Sequence, residues 1–492
     1  MKRACNSQTP KYMQNTVLSC ICGLSLLCMT AIPLVAQEND SDAKIITILA
    51  VNDMHAAIDM FPKFATVVDS IRSIHPNLIL LSAGDNRTGN PVNDRYAEPN
   101  YPMTDLMNRL GFDASAVGNH EFDANVAVFR SLIGKSNFRY LCANMDAPDS
   151  LRLHTAPYRI YERNGLRVGI LGLIQTGPNG FPDTHPKNLE NISFRPAVET
   201  AKDYAWMRDA CDVFVLLTHC GYEEDLELAA AYPQADIIIG GHSHTVVTNR
   251  VLRNGILVSQ TGRALKYLTE IQVEVSGGRV TAKNYKLINL NAARLSKPEI
   301  QAVVDAYNDN ETLKLVLTTA ATPFENAEEL GNLMADAQRA GANGDIAIQN
   351  YGGVRYETHA VGDFTMKDAF ALDPFDNSLV AYELTGEEVQ QMIVSAYKIG
   401  ENPYVSGISY TVAFNADNSV KKLVVFLSDG KPIVAKKSYR VIINNYLSSV
   451  CPFLKDRAGE DTFIGATNAL VDYLQQQSSV NYQGTRRITV VN

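Results

Sequence analysis

The sequence has little of what marks disordered, fibrous or nucleic-acid-binding chains. Its 492 residues include one tryptophan and 20 prolines, with no internal repeat and no low-complexity segment. With 46% hydrophobic and 20% charged residues, the composition argues against disorder and against a multi-span membrane protein. No long stretch is strongly basic, and 44 Lys and Arg against 53 Asp and Glu leave a net charge of −9. We therefore expect no binding of nucleic-acid polymers.

Cysteine is scarce in the body of the chain. Four of the eight cysteines fall within the first 28 residues, and the other four are widely scattered. Such spacing matches neither a disulfide framework nor a thiolate zinc site. We expect buried free thiols at Cys142, Cys211, Cys220 and Cys451.

The amino terminus has the pattern of an export signal. Three basic residues and no acid precede an uncharged apolar run over 17–36. This predicts a signal peptide over 1–36, cleaved after Ala36, and a periplasmic, cell-surface or secreted protein with no stable membrane span. An uncleaved anchor is one alternative, since about 20 apolar residues can span a bilayer, and a lipid on Cys28 is the other. Cleavage changes the net charge from −9 to −12, because the three basic residues leave.

Two patterns divide the rest of the chain. Over 43–292, continuously apolar runs alternate with amphipathic segments, which predicts strands buried on both faces of an α/β layer domain. Residues 293–317 are predicted as a linker helix. Residues 318–492 mix helical and strand patterns, as a second, α+β domain would. The predicted buried strands are IITILAV, NLILLSA, ASAV, RVGILGL, VFVLLT and ADIIIG.

Side chains suited to metal coordination follow five of these strands. Ligands collect outside the carboxyl ends of the strands in an open α/β sheet, so we expect these ends to meet at one edge. Imidazole, carboxylate and amide donors suit Zn, Mn or a similar ion. The side chains at the five strand ends are Asp53 and His55; Asp85; Asn119, His120 and Asp123; His219; and His242 and His244.

The number of donors predicts two divalent metal ions. Asp85 has two free carboxylate oxygens and could bridge a pair of ions about 3.5–4 Å apart. The remaining donors divide into two sets, and each set leaves room for a water or a substrate oxygen. The two sets are Asp53, His55 and His244 on one ion, and Asn119, His219 and His242 on the other.

The motifs DxH, GD, GNHE and GHxH, in this order, resemble those of the calcineurin-like metallophosphoesterases. Their longer forms NDMH, GDNRTGNP, GNHEFD and GGHSH resemble the two-domain 5'-nucleotidase and UDP-sugar hydrolase family, and the resemblance extends over nearly all of the mature chain. It implies a four-layer α/β-β/α metallophosphatase domain followed by a domain that recognises a small-molecule nucleotide. The family typically has Gln where His244 stands, whereas the wider superfamily has His there.

His120 directly follows the predicted ligand Asn119, so its side chain is expected to point elsewhere than the metals. With Asp123 holding it, His120 would stabilise phosphoryl charge or donate a proton to the leaving group. The resemblance implies the same role for this pair.

In the second domain the resemblance implies the substrate contacts. QNYGGVR is similar to NGGGxR, which puts Asn350 and Arg355 at the phosphate and ribose. DPFDN is similar to PFxN, which makes Phe375 one wall of a base clamp and Asn377 a polar contact to the base. In NNYLSS, Tyr446 stands at the place of the opposing aromatic residue.

Two departures from the family pattern bear on the substrate. The chain reads SSVCPF where the family's GGDG turn carries a ribose-binding Asp, and Glu329 replaces an Arg often found there. The resemblance implies an exported 5'-nucleotidase-type hydrolase, and the two departures leave open a 2',3'-cyclic-nucleotide 2'-phosphodiesterase/3'-nucleotidase or a UDP-sugar hydrolase. A non-nucleotide ester hydrolase and an inactive surface-binding protein are more distant alternatives.

Overall fold

A computed structural model describes residues 43–177, 179–232 and 234–491. The predicted signal peptide, residues 1–36, lies outside this part of the chain. Among the described residues, no helix combines the length and the hydrophobicity needed to cross a bilayer. The four cysteines of this part are buried and unpaired, which confirms the expectation of free thiols.

Two six-stranded sheets stack face to face in the first domain. Apolar side chains such as Ile48 and Leu81 from one sheet, and Ile170 and Val215 from the other, fill the space between them. The central strands of both sheets are parallel and buried, as their continuously apolar sequences predict. The first sheet has the order Arg279–Asn289, Tyr267–Ser276, Lys44–Val51, Ile79–Ser82, Ala114–Ala116 and Arg139–Leu141. The second has the order Val251–Arg253, Ile256–Ser259, Ile237–Ile239, Val213–His219, Leu166–Ile174 and Tyr158–Arg163.

Helices cover the outer face of each sheet. Phe61, Phe64 and Val68 recur at helical spacing and pack against the first sheet. Leu228 and Ala229 pack against the second sheet in the same way. The resulting four layers, α/β-β/α, confirm the predicted fold class. The helices of this domain are Phe61–Ile74, Pro91–Asp94, Tyr101–Leu110, Val126–Lys135, Ala197–Asp203, Met207–Ala210 and Tyr222–Ala231.

The predicted linker helix is two helices, Pro298–Asn308 and Glu311–Lys314. The break has a local cause: Asn310 caps the second helix, its side chain accepting a hydrogen bond from the backbone N–H of Leu313 at 3.3 Å. Ile300 belongs to the hydrophobic core of the first domain, so the linker is anchored there.

The second domain mixes sheets and helices, as predicted. Its helix Gly386–Lys398 begins at a capping box, in which the Thr385 backbone N–H donates to Glu388 at 2.8 Å. The main sheet has the order Tyr404–Ser406, Ile346–Gln349, Ser438–Asn444, Ser378–Thr385 and Glu460–Gly465. Smaller sheets contain Val420–Leu427, Ile408–Phe414 and Ile488–Val491, and Val316–Ala320 and Gly362–Thr365. The other helices are Ala327–Gly341, Met366–Leu372, Asn445–Val450 and Ala466–Gln475.

Candidate active site

The seven predicted metal ligands converge at the carboxyl ends of the strands. The edge is not that of one sheet: three of the strands belong to the first sheet and two to the second. Asn119 Oδ1 lies 3.2 Å from His219 Nε2 and 3.1 Å from His242 Nδ1. The other ligand atoms lie within 4.8 Å of one another in two groups: Asp53, His55 and His244, and Asp85, His219 and His242.

Asp85 lies between the two groups. Its carboxylate belongs to the second group, yet it also lies within 4.8 Å of ligand atoms of His55 and His120. Burial opposes the charge of Asp85, but His219 and His120 outweigh that effect and hold the pKa of the carboxyl well below its usual range. Asp85 is therefore a carboxylate at neutral pH, with oxygens facing both groups.

The hydrogen bonds of His219 test whether this pocket suits a cation. Its Nδ1–H donates to the carbonyl of Ala83 at 2.7 Å, so Nε2 is the nitrogen available to a metal ion. Burial opposes the charged ring, but Asp85 outweighs burial and raises the pKa of His219 to about 10, so a bound cation would take the place of the Nε2 proton. This nitrogen faces Asp85 Oδ2 at 3.1 Å and Asn119 Oδ1 at 3.2 Å. Three electron-pair donors pointing at one another fit a metal ion among them.

The other group has the same chemistry. His55 Nδ1–H donates to the carbonyl of Thr88 at 3.0 Å, which leaves the lone pair of Nε2 facing His244 Nε2 at 3.0 Å. Burial lowers the pKa of His55 well below its ordinary value, and nearby Arg355 adds to the effect. A neutral imidazole is the form that binds metal. The residues present therefore fit a second ion beside Asp53.

The backbone at these ligands is strained. Five of the seven predicted ligands have a positive φ, a region that residues other than glycine rarely adopt. Such strain persists only where the surrounding structure enforces it, and it clusters at functional sites. The five are Asp53 at 49°, His55 at 45°, Asp85 at 52°, His242 at 78° and His244 at 54°.

Buried Glu121 holds two of the ligand-bearing loops together. Its Oε2 accepts from the backbone N–H of Asp85 at 3.1 Å and of Gly118 at 2.7 Å. Its Oε1 accepts from the backbone N–H of Asn86 at 3.0 Å and from the side-chain amide of Asn86 at 3.1 Å. Gly118 is required here, because a Cβ at this position would collide with the carboxylate of Asp85.

Replacing Glu121 with Gln is expected to destabilise the fold by about 3 kcal/mol, since one amide NH₂ would face two buried N–H donors. The unfolding temperature and the metal content measure the effect, and both are expected to be lower than in the wild type. Glu199→Gln, on an exposed residue, is the matched control. Unfolding of Glu121→Gln at the wild-type temperature would contradict this role.

His120 and Asp123 form the predicted pair. His120 Nδ1 lies 2.6 Å from Asp123 Oδ2, and Asp123 Oδ1 accepts from the hydroxyl of Thr184 at 3.2 Å. Burial disfavours the charged imidazole, but Asp123 and Asp85 outweigh it and raise the pKa of His120 above its ordinary value. Asp123 thus orients the ring and favours a protonated Nε2, which is the property of a proton donor.

The five predicted substrate residues line one cavity of about 830 Å³ with this site. Arg355 Nη2 comes within 3.4 Å of His120 Nε2. The Phe375 ring stacks on that of His120, with centroids 6.1 Å apart and an interplanar angle of 26°. The side chain of Asn350 is already bonded, because its Oδ1 accepts from Asn444 at 2.8 Å. The five are Asn350, Arg355, Phe375, Asn377 and Tyr446.

The structure shows where the two departures from the family pattern lie. Glu329 is buried, and its carboxylate accepts from the backbone N–H of Glu325 at 2.7 Å and of Gly484 at 2.8 Å. It therefore holds its own domain together. SSVCPF forms the end of the helix Asn445–Val450 and the turn of 3₁₀ helix Pro452–Leu454 that follows it.

Other cavity residues were not anticipated from the sequence. Arg95 of the first domain forms an ion pair of 2.8 Å with Asp376, the residue between Phe375 and Asn377 in the sequence. This ion pair connects the two domains at the cavity. Glu401 also lines the cavity. Neither follows a buried strand of the first domain, so the strand-end pattern could not reveal them.

Comparisons with known proteins agree with this geometry. The calcineurin-like phosphoesterase model matches residues 46–246, and the 5'-nucleotidase C-terminal domain model matches residues 311–451. A 5'-nucleotidase of Vibrio cholerae serotype O1 is 28% identical over 538 aligned positions, covering 92% of this chain and 94% of its own. Protein UshA of Salmonella pullorum is 26% identical, covering 93% and 96%.

A solved structure extends the likeness to three dimensions. The crystal structure of a 5'-nucleotidase precursor from Thermus thermophilus has a TM-score of 0.82 and 25% identity, covering 91% of this chain and 99% of its own. The phosphoesterase model matches the first domain and the 5'-nucleotidase C-terminal model matches the second, and the fold and the site geometry agree with both matches. The chain belongs to the calcineurin-like phosphoesterases that carry a 5'-nucleotidase C-terminal domain.

Proposed function

We propose that this protein is an exported 5'-nucleotidase that converts nucleoside monophosphates to nucleoside and phosphate with two divalent cations, Zn, Mn or similar. The observation that carries the proposal is one cavity with two different walls. Its first-domain wall holds two groups of metal-ligand atoms. Its second-domain wall presents a guanidinium and two aromatic side chains.

The roles follow from the chain's own groups. When bound, a pair of divalent cations supplies Lewis acidity toward phosphoryl oxygens and lowers the pKa of water. Asn119 and the two ligand groups, with Asp85 between them, would hold these cations. Arg355 donates hydrogen bonds to the phosphoryl oxygens, because its planar fork matches an oxyanion. His120 Nε2 gives its proton to the leaving oxygen, while Asp123 keeps the ring in place.

The nucleoside end of the cavity suits a planar base. Phe375 and Tyr446 come from separate segments of the second domain and both line the cavity. Stacking of a base on aromatic side chains contributes about 1–3 kcal/mol and tolerates any base. Asn377 adds an amide that can donate to or accept from the base edge. We therefore expect a nucleotide in preference to a simple phosphate ester.

The cellular location is part of the proposal. The pattern of residues 1–36 supports export to the periplasm or beyond, with cleavage after Ala36. Amino-terminal sequencing of the protein recovered from a secreting host tests the cleavage site. Retention of the apolar run in a membrane fraction would contradict it.

A phosphate-release panel tests the activity. The mature chain is loaded in turn with Mn, Zn and Co and given 5'-AMP, 3'-AMP, 2',3'-cyclic AMP, ADP, a UDP-sugar and p-nitrophenyl phosphate. The proposal predicts the highest kcat/KM for 5'-AMP and two equivalents of bound metal. Preference for 3'-AMP and 2',3'-cyclic AMP, or for the UDP-sugar, would favour the corresponding alternative. Inactivity with every metal would favour a binding protein.

A further inference from the structure

Glu401 is a cavity carboxylate that takes no part in the proposed metal chemistry. Glu401 lies beyond the helix Gly386–Lys398 and lines the cavity from the second domain. Its Oε2 accepts from the backbone N–H of Gly352 at 3.1 Å, and its Oε1 accepts from Asn350 Nδ2 at 3.2 Å. Each carboxylate oxygen can accept a further hydrogen bond, so Glu401 keeps capacity for a ligand.

Two contacts define where this carboxylate stands. Arg355 Nη1 donates to the carbonyl of Gly352 at 3.3 Å. Arg355 therefore binds the carbonyl of Gly352, and Glu401 binds the N–H of the same residue. On the other side Glu401 is close enough to Tyr446 to add to the effect of burial in raising the pKa of that phenol. Glu401 therefore lies near both the proposed phosphate contact and the proposed base contact.

The polar groups around Glu401 determine what can bind in this part of the cavity. A carboxylate repels phosphate and accepts hydrogen bonds from neutral donors. Asn445, which precedes Tyr446 in the chain, lines the same cavity. Its buried Oδ1 has no hydrogen-bond partner among the described residues. The Glu401 carboxylate thus borders the part of the cavity that, in a bound nucleotide, would lie between phosphate and base, and the Asn445 amide oxygen is a second, buried acceptor in the cavity wall. The donors a nucleotide offers at that position are its sugar hydroxyls.

We propose that Glu401 is a specificity-determining residue that accepts hydrogen bonds from the 2'- and 3'-hydroxyls of ribose and so selects ribonucleotides over deoxynucleotides. The inference rests on the proposed function, and it names the substrate class of that site. A site built to bond a hydroxyl discriminates against an analogue that lacks it, because the buried acceptor is then left unpaired.

The test compares 5'-AMP, 2'-deoxy-AMP and 2',3'-dideoxy-AMP as substrates of the wild type, Glu401→Ala and Glu401→Gln. The wild type is expected to prefer 5'-AMP to the dideoxy compound by about 10-fold or more in kcat/KM. In Glu401→Ala the ratio is expected to fall toward one, chiefly through a higher KM for 5'-AMP. Glu387→Ala, on an exposed carboxylate of the same domain, is expected to keep the wild-type ratio.

The ratio separates recognition from structural support. If Glu401 only held the Gly352 loop, its loss would slow 5'-AMP and dideoxy-AMP equally, and an unchanged ratio would overturn the inference. Equal wild-type rates on 5'-AMP and dideoxy-AMP would also overturn it and leave the proposed function standing. Cleavage of p-nitrophenyl phosphate with no release from any nucleotide would instead overturn the proposed function, and the inference with it.

Discussion

His120→Ala is expected to keep its bound metal and to lose about 100-fold or more in kcat on 5'-AMP. The reason is geometric. His120 Nδ1 is engaged with Asp123 at 2.6 Å, which leaves Nε2 directed toward Arg355, 3.4 Å away, at the proposed phosphate position. In the proposed mechanism the side chain therefore serves the leaving group and not the cations. Metal analysis and steady-state kinetics on the same preparation measure both halves of the prediction.

His154→Ala is the control, because that histidine is exposed and lies away from the cavity lining. Wild-type turnover in a correctly folded His120→Ala protein would contradict the proton-donor role. Loss of a metal equivalent would reassign His120 as a ligand beside His55 and Asp85, the arrangement that their separation also permits.

Asp85→Asn is expected to abolish binding of the metal pair and to lower kcat/KM by about 1,000-fold or more. The reason is that Lewis acidity and water activation both depend on the metal pair. The substitution keeps the side-chain shape and removes the charge that faces His219 at 3.1 Å. Added Mn or Zn is expected to raise the unfolding temperature of the wild type, because a ligand of the native state stabilises it by mass action. The variant is expected to show no such rise.

Asp149→Asn, an exposed aspartate of the same domain, is expected to behave as the wild type in both measurements. The bridging role requires that the two ions depend on one carboxylate. Retention of two metal equivalents by Asp85→Asn would show that Asp53 and the other donors suffice, and would remove Asp85 from its proposed position between them.

The fold of the first domain could be predicted because its signals are local. A continuously apolar run of about four to eight residues bounded by turn signals indicates a buried strand, and the chain direction tells where that strand ends. Asp53 and His55 follow Lys44–Val51 within four residues, so their place at a sheet edge needs no tertiary information. What the pattern did not reveal is that this edge is shared by two stacked sheets.

The linker shows the opposite case. The stretch over 293–317 is predicted as one linker helix, yet the capping preference of Asn310 divides its helical part into two helices. Likewise, nothing in the sequence around Asp53 or His244 marks a left-handed backbone, which residues other than glycine adopt only under constraint from neighbouring loops.

The sequence by itself determined the strands, the ligand types and the order in which they come, because each depends on residues a few positions apart. Only the tertiary structure decided which distant groups meet. Arg355 and His120 are 235 residues apart in the chain and 3.4 Å apart in space, and Glu401 stands in the same cavity. Such contacts depend on how the two domains pack, and packing is set by the shape of whole surfaces that no local pattern encodes.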